Sequence, residues 1–265
     1  MTWGPAHIIA NWKMHGTMQT CQRLVFDLLE QIEAKNLRDD LSSHLKIHLC
    51  PSFPYLPLVK HMTMGHPLHL GAQDMHYEEQ GPFTGAVGPY MLKDVGCDLV
   101  ILGHSERRAH FRESPTDIGQ KVAKAAEKGL TPVLCVGEDQ AAYAAKKTFS
   151  TVLEQIRETL ARVPQSTKLL IAYEPIWAIG AGKTPAATEV NQLFEDLGRE
   201  KLIQKYYVTF LYGGSVNGKN VGSFLTQPYI NGVLVGGVSL QSAGFTDLLE
   251  TASQVVRRPK GTWSK

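Results

Sequence analysis

The sequence predicts a (β/α)8 barrel, because eight short apolar segments alternate with helical patterns along its 265 residues. A chain of this length that is 43% apolar can bury one large core, and no low-complexity tract or Pro/Ser-rich linker divides it. Polar residues cluster where the apolar segments end, and enzymes with this architecture build their active sites at those strand ends. We therefore expect one domain over residues 1–265.

The predicted strands are the eight apolar segments, whose nearly continuous apolar character is typical of a parallel sheet buried on both faces. In chain order they cover residues 7–13, 46–51, 68–73, 98–102, 131–136, 168–173, 207–211 and 232–235. The sixth segment places Glu174 at its end, and Pro175 then prevents an immediate helix. The following stretch is apolar and ends in flexible glycines, which favours a lid over residues 175–183.

Each predicted helix carries one apolar stripe. The first follows strand one and places six residues on its stripe: Cys21, Leu24, Val25, Leu28, Leu29 and Ile32. Another begins near Ser114, where a capping serine precedes Pro115. The remaining helices are expected near residues 55–61, 149–163, 187–204 and 245–256. A loop from Asp74 to Pro89 separates strands three and four, and a structureless loop of that length is usually functional or an interaction element.

Composition argues against several classes of function. The net charge of +2 is too small to suggest nucleic acid as the main partner. No apolar run approaches the length of a membrane span, and the first residues lack the pattern of a signal peptide. The cysteines at positions 21, 50, 97 and 135 are far apart and form no CxxC pair, so we expect buried thiols in a cytoplasmic, reducing compartment. We predict no metal site and no cofactor.

Groups that can do chemistry stand at several predicted strand ends. They are Asn11, Lys13, His104, Glu174 and the glycine turns 213–214 and 236–237. Taken alone, each has an ordinary explanation, such as a solvated lysine, a hydrogen-bonded turn histidine or a tight turn. Their joint position at one face of one barrel favours a shared site. The backbone N–H groups of the glycine turns, with the hydroxyl of Ser215, form a cradle for a phosphate group.

A carboxylate, an imidazole and an ammonium beside a bound phosphate have one coherent chemical task. Glu174 can remove a proton from a carbon next to a carbonyl. His104 can polarise the carbonyl oxygen, and Lys13 can stabilise the negative charge that develops. These steps together predict the aldose–ketose isomerisation of a small phosphorylated sugar.

Six motifs run through the chain in a fixed order. They are Asn11-Trp12-Lys13-Met14, Gly103-His104-Ser105-Glu106-Arg107-Arg108, Cys135-Val136-Gly137-Glu138, residues 172–180, Tyr212-Gly213-Gly214-Ser215-Val216 and Leu234-Val235-Gly236-Gly237. Together they resemble the triosephosphate isomerase family over nearly the whole chain. The resemblance implies a single-domain TIM barrel that interconverts dihydroxyacetone phosphate and D-glyceraldehyde 3-phosphate through an enediolate.

The resemblance also implies a role for each matching residue. Glu174 would be the base, His104 the electrophile, and Lys13 and Asn11 the substrate contacts, with Glu106 supporting the site. The residues that would grip the phosphate are Gly180, Ser215, Gly236 and Gly237. Members of the family form homodimers in which the long third loop inserts into the other subunit, so the resemblance implies a homodimer here.

Several positions depart from the pattern that is usual in the family. They are Ala10, His15, Ala86, Gly88, Ala181, Asn231 and Val238. None removes a proposed catalytic group, but they leave the subunit interface and the substrate open. One alternative is a related isomerase that acts on a four-carbon ketose phosphate such as an erythrulose phosphate. Another is a catalytically silent barrel that only binds phosphate.

Overall fold

The computed structural model describes residues 5–179 and 183–256, and its strands form a closed barrel. The strands are β1 (Ala6–Asn11), β2 (Leu45–Cys50), β3 (Leu68–Ala72), β4 (Cys97–Leu102), β5 (Thr131–Val136), β6 (Lys168–Tyr173), β7 (Tyr207–Tyr212) and β8 (Gly232–Val235). Each strand pairs in parallel with the next, and β8 pairs with β1. The predicted single-domain TIM barrel is therefore confirmed.

The helices lie between the strands along the chain. They are α1 (Met18–Ala34), α2 (Arg38–His44), α3 (Leu56–Thr63), α4 (Pro89–Val95), α5 (Ser105–His110), α6 (Pro115–Glu127), α7 (Gln140–Ala144), α8 (Thr148–Leu160), α9 (Ala187–Arg199), α10 (Val221–Leu225) and α11 (Ser242–Val256). No helix in the described part of the chain is long and apolar enough to cross a membrane.

The structure corrects some predicted helices. The sequence gives no signal for α2, α4, α7 and α10, because five to seven residues are too few to show an apolar stripe. The predicted helix over 187–204 already ends at Arg199, since Glu200 is extended. Phe149 lies in α8 but is exposed rather than part of the buried stripe. The loop after β3 stops at Gly88, because Pro89 is the first residue of α4.

Side chains fill the inside of the barrel, so it is a packed core and not a pore. The inward-facing cluster consists of Ile9, Cys50, Leu99, Ile101, Val133, Cys135, Leu170, Ala172, Leu211 and Leu234. A larger apolar cluster fills the space between the strands and the surrounding helices. All four cysteines are free and buried, as predicted, and burial raises the pKa of the Cys50 and Cys135 thiols well above their usual value.

A buried network of charges fixes the loops that follow β3 and β4. Lys121 of α6 contacts Asp74 at 2.8 Å and Glu113 at 2.6 Å. Arg107 of α5 contacts the same two carboxylates, at 2.9 Å and 2.6 Å. Because each cation meets both carboxylates, the network ties the start of the long third loop to the segment that carries His104.

We expect Lys121→Met to lower the free energy of unfolding by about 3–5 kcal/mol, since it leaves two buried carboxylates with one cation. Lys124→Met is the matched control, because this lysine lies on the same helix and pairs with Glu79 and Glu127 near the surface. The measurement is the unfolding midpoint at one fixed protein concentration. Equal midpoints for the two variants would contradict the structural role of the network.

Candidate active site

A cleft of about 400 Å³ opens at the carboxyl ends of the strands. Its lining consists of Asn11, Lys13, His104, Glu174, Ile179, residues 213–217 and residues 234–238. The cleft therefore brings together predicted site residues that five different strands deliver. Its volume suits a small ligand.

The carboxylate of Glu174 and the imidazole of His104 are in direct contact. Glu174 Oε1 lies 2.9 Å from His104 Nε2, and Glu174 Oε2 accepts a hydrogen bond from the backbone N–H of Ser105 at 3.2 Å. Both side chains are buried. Since both carboxylate oxygens are occupied by the protein, Glu174 must shift before it can accept a proton from a ligand.

The hydrogen bonds of His104 define where its proton lies. The backbone N–H of Glu106, at the start of α5, donates to His104 Nδ1 at 3.3 Å, so the ring carries its proton on Nε2. Burial lowers the pKa of His104, whereas the Glu174 and Glu106 carboxylates raise it, and the net shift is upward. When Glu174 moves away, the main cause of that rise is lost. The neutral imidazole, with a donor at Nε2, is then the favoured form.

Lys13 has a left-handed backbone that its neighbours hold in place. Its φ is 53°, and a non-glycine residue in such a conformation costs about 1–3 kcal/mol. Its N–H donates to Asn11 Oδ1 at 3.0 Å. Its carbonyl accepts from the Ser52 hydroxyl at 2.9 Å and from the Gln73 amide at 2.8 Å. These bonds stabilise the left-handed conformation of Lys13. The sequence predicts a first strand that continues to Lys13, but β1 ends at Asn11.

The side chain of Lys13 reaches across the barrel to Glu106. Its Nζ lies 2.5 Å from Glu106 Oε1, so Glu106 holds the ammonium from outside the cleft lining. The roles of Gln73 and Ser52 as supports of Lys13 were not predicted from the sequence. The one feature that could have indicated them is that both are polar residues just beyond the carboxyl ends of β3 and β2.

The glycine turn after β7 leaves room for the Glu174 side chain, and the glycine turn after β8 leaves room for a ligand. A Cβ atom on Gly213 would lie 2.9 Å from Glu174 Cγ, so a larger residue would displace the carboxylate. A Cβ atom on Gly237 would meet nothing within 4 Å, because this residue faces open space in the cleft. The hydroxyl of Ser239 donates to the Gly236 carbonyl at 2.6 Å and fixes the turn after β8.

The segment after Glu174 is held by a buried carboxylate, Glu138. Its Oε1 accepts from Tyr173 at 3.0 Å, from Trp177 at 2.9 Å and from Thr148 at 3.2 Å. The hydroxyl of Ser215 donates to the Ala178 carbonyl at 3.1 Å, which links the turn after β7 to the same segment.

One predicted phosphate contact, Gly180, lies outside the described residues. So does most of the glycine-rich end of the predicted lid, which therefore stays a prediction.

The chain is similar to known proteins over nearly its whole length. A family model described as triosephosphate isomerase matches residues 6–252. The triosephosphate isomerase of a Synechocystis strain is 40% identical over 242 residues, which cover 91% of this chain and 96% of that protein. The corresponding protein of a Roseiflexus strain is 41% identical over 247 residues, which cover 90% and 94%. This chain belongs to the triosephosphate isomerase family.

The residues that depart from the usual triosephosphate isomerase pattern lie at different places in the fold. Val238 lines the cleft at the turn after β8. Asn231 precedes the first residue of β8 and joins the sheet through its backbone: its carbonyl accepts from the His7 N–H, and its N–H donates to the Phe210 carbonyl. His15 is exposed, and Ala181 lies outside the described residues.

We expect Glu138→Leu to loosen the segment after Glu174, because it leaves the Tyr173 and Trp177 donors without a buried acceptor. Glu138→Gln is the control, since its amide oxygen still accepts these bonds. The measurement is hydrogen exchange in the peptide that covers residues 174–179. Faster exchange is expected only in the leucine variant, and identical rates in the two variants would contradict this role of Glu138.

Proposed function

We infer that this chain interconverts dihydroxyacetone phosphate and D-glyceraldehyde 3-phosphate. The observation that carries the inference is the contact between Glu174 and a His104 ring protonated on Nε2, in a small cleft that also contains an ammonium and two glycine turns. Membership of the triosephosphate isomerase family supports the same conclusion. No feature of the cleft favours a four-carbon substrate or a silent barrel.

We propose Glu174 as the base. The ketose loses a proton from the carbon beside its carbonyl, and the enediolate that forms regains one on the neighbouring carbon. A single carboxylate placed between the two carbons can perform both transfers. Glu174 is 3% exposed in the position where it contacts His104, and a carboxylate shielded from water in this way interacts more strongly with nearby charges.

We propose His104 and Lys13 as the groups that stabilise the enediolate. The Nε2–H of His104 donates to the substrate oxygen that becomes negative. The isomerisation also moves a proton from the hydroxyl oxygen of the substrate to its carbonyl oxygen, and the His104 imidazole can transfer this proton. The ammonium of Lys13 adds a positive charge at the same place; Glu106 holds that ammonium, and Asn11 holds the backbone of Lys13.

We propose that the phosphate group binds at the turns after β7 and β8. Gly237 offers its backbone N–H beside open space, Gly236 lies next to the Lys13 side chain, and the Ser215 hydroxyl lies at the same edge of the cleft. Gly180, in the predicted lid, would provide a further contact to the phosphate group. Ser215 must then exchange its bond to Ala178 for one to the phosphate, which couples ligand binding to the segment after Glu174.

We expect Glu174→Gln to lower kcat by more than about 10⁴-fold, because the amide cannot accept the proton. Glu174→Asp is the matched variant, since it retains the carboxylate about one bond length too far away, and we expect a loss of roughly 10²-fold. The assay follows dihydroxyacetone phosphate and, in a parallel series, erythrulose phosphate. Near-normal turnover in the glutamine variant would refute the assignment of the base.

We propose that the chain forms a homodimer. Met14, beside the site lysine, is 94% exposed, and Phe83 on the long third loop is 40% exposed. Within that loop Phe83 packs on His76, with ring centroids 4.3 Å apart, and Glu79 pairs with Lys128. The loop is therefore held in shape while it presents apolar surface. Such a surface suits the self-complementary contact of a two-fold dimer.

We expect Met14→Glu to weaken the dimer and to lower turnover, because it places a charge in the proposed interface beside Lys13. Met64→Glu is the control, since Met64 is also an exposed methionine, 61% accessible, and follows the last residue of α3. Sedimentation measures the dissociation constant, and activity is followed across the same concentrations. A monomeric, fully active wild type would rule out the proposed dimer, as would equal effects of the two substitutions.

We also propose a cytoplasmic location and a single domain over residues 1–265. Four free, buried thiols fit a reducing compartment. The proposed reaction uses only side chains and backbone groups, and its only proposed partners are the phosphorylated sugar and a second copy of the chain.

A further inference from the structure

A cluster of imidazoles lies on β1, β2 and β3, away from the cleft. His48 of β2 pairs in register with His69 of β3, and their rings stack with centroids 5.1 Å apart. His7 of β1 stacks on the other face of this group, 6.3 Å from His48. His7 precedes Asn11 by four positions on the same strand, which is roughly 13 Å along the barrel wall. The cluster therefore belongs to the amino-terminal side of the barrel.

Asp98 of β4 completes the cluster with a carboxylate. Its Oδ2 lies 3.0 Å from His69 Nδ1. One potential ligand atom each of His48, His69 and Asp98 lies within 4.8 Å of the other two. Two ligands of one zinc ion can be no more than about 4.3 Å apart, because each bond is roughly 2.0–2.2 Å long. Small side-chain rotations would bring the three groups to that spacing.

His48 is the part of the cluster that ordinary packing does not explain. It is 5% exposed, and its Nδ1 is buried without a hydrogen-bond partner. His7 Nδ1 is in the same situation. A buried polar atom without a partner is unfavourable and calls for an explanation. The hydrogen bond between His69 Nδ1 and Asp98 Oδ2 accounts for those two residues but leaves His48 Nδ1 without a partner.

We propose that His48, His69 and Asp98 bind a divalent transition-metal ion, for which Zn²⁺ is the best match. Imidazole nitrogens and a carboxylate oxygen are zinc donors, and three protein ligands leave a fourth position for water. Burial lowers the pKa of His48 to about 3, which agrees with a neutral ring whose lone pair is available. The set escaped sequence analysis because its members come from three strands and show no short ligand spacing.

The proposed ion would join three neighbouring strands at an irregular place in the barrel. The register between β3 and β4 shifts between Leu70 and Gly71, one residue beyond His69. A metal held by β2, β3 and β4 would pin this part of the sheet. Lys46 lies two residues before His48 on β2, and its charge lowers the pKa of that ring, so it also opposes a bound cation. Because the ion would lie away from the cleft and join three strands, we expect it to stabilise the fold. Removing the Lys46 charge would strengthen its binding.

Titration calorimetry of the chelator-treated full chain with Zn²⁺ tests the proposal. We expect one ion per chain, and a loss of affinity of about 100-fold or more in His69→Asn and in His48→Gln, since even outer-shell changes weaken metal sites by 10–100-fold. His61→Gln is the control, because this exposed histidine lies on α3. Lys46→Met should bind more tightly than the wild type. Visible absorption of Co²⁺ reports the coordination directly.

Thermal unfolding gives a second measurement, because an ion that binds only the folded chain raises the Tm. We expect Zn²⁺ to raise the Tm of the wild type and of His61→Gln, but not of His48→Gln or His69→Asn. Isomerase activity of the metal-free variants confirms that they are folded, and it also separates this proposal from the proposed function. Absence of stoichiometric binding overturns the proposal. Binding that survives both ligand substitutions, or that is lost in His104→Gln, does so too.

Discussion

Closure of the sheet is the constraint on which the rest of the structure depends. Once β8 pairs with β1, every strand has neighbours on both sides, and its faces are covered by the inner and outer clusters. Most polar side chains can then be accommodated only near the strand ends, and the buried His48 within β2 is an exception. Parallel strands place all their carboxyl ends at one rim, so residues as distant in sequence as Asn11 and Gly237 line one cleft.

The reacting groups occupy positions that the barrel alone would not favour. Lys13 has a left-handed backbone, and Glu174 is a buried carboxylate. Both are held by groups that do not line the cleft: the Gln73 amide and the Ser52 hydroxyl hold the carbonyl of Lys13, and the Ser105 N–H holds Glu174. The free energy that these conformations cost is therefore offset by hydrogen bonds to neighbouring loops. The loops at the carboxyl ends of the strands therefore together hold Lys13 and Glu174 in place before a ligand binds.

Sequence analysis predicted the strands and the groups at their carboxyl ends, because both follow from local patterns. Five consecutive apolar residues after Lys168 identify β6, and the carboxylate that follows them marks Glu174 as a candidate site residue. The supporting contacts were not predictable in the same way. Gln73 and Glu138 act through partners that are 60 and 39 positions away, and nothing in the local sequence marks such a pairing.

The short helices escaped prediction for a different reason. A segment such as α10, with five residues, makes too few turns to show a periodic stripe, so its helical form is set by the packing around it. The resemblance to a known family identified Glu106, whose contact with Lys13 spans 93 positions. Residue chemistry alone would have left it as an ordinary acidic residue in the first turn of α5.

The four cysteines sample the two layers of the core separately. Cys50 and Cys135 face the inside of the barrel, whereas Cys21 and Cys97 pack between the strands and the helices. All four are buried, and burial raises the pKa of each thiol, so an alkylating reagent reaches them only when the fold opens. The labelling rate of Cys21 and Cys97 therefore reports how fast the helices separate from the strands. The labelling rate of Cys50 and Cys135 reports how fast the strands of the barrel separate from one another. Comparing the two labelling rates therefore shows the order in which the outer and inner layers of the core unfold.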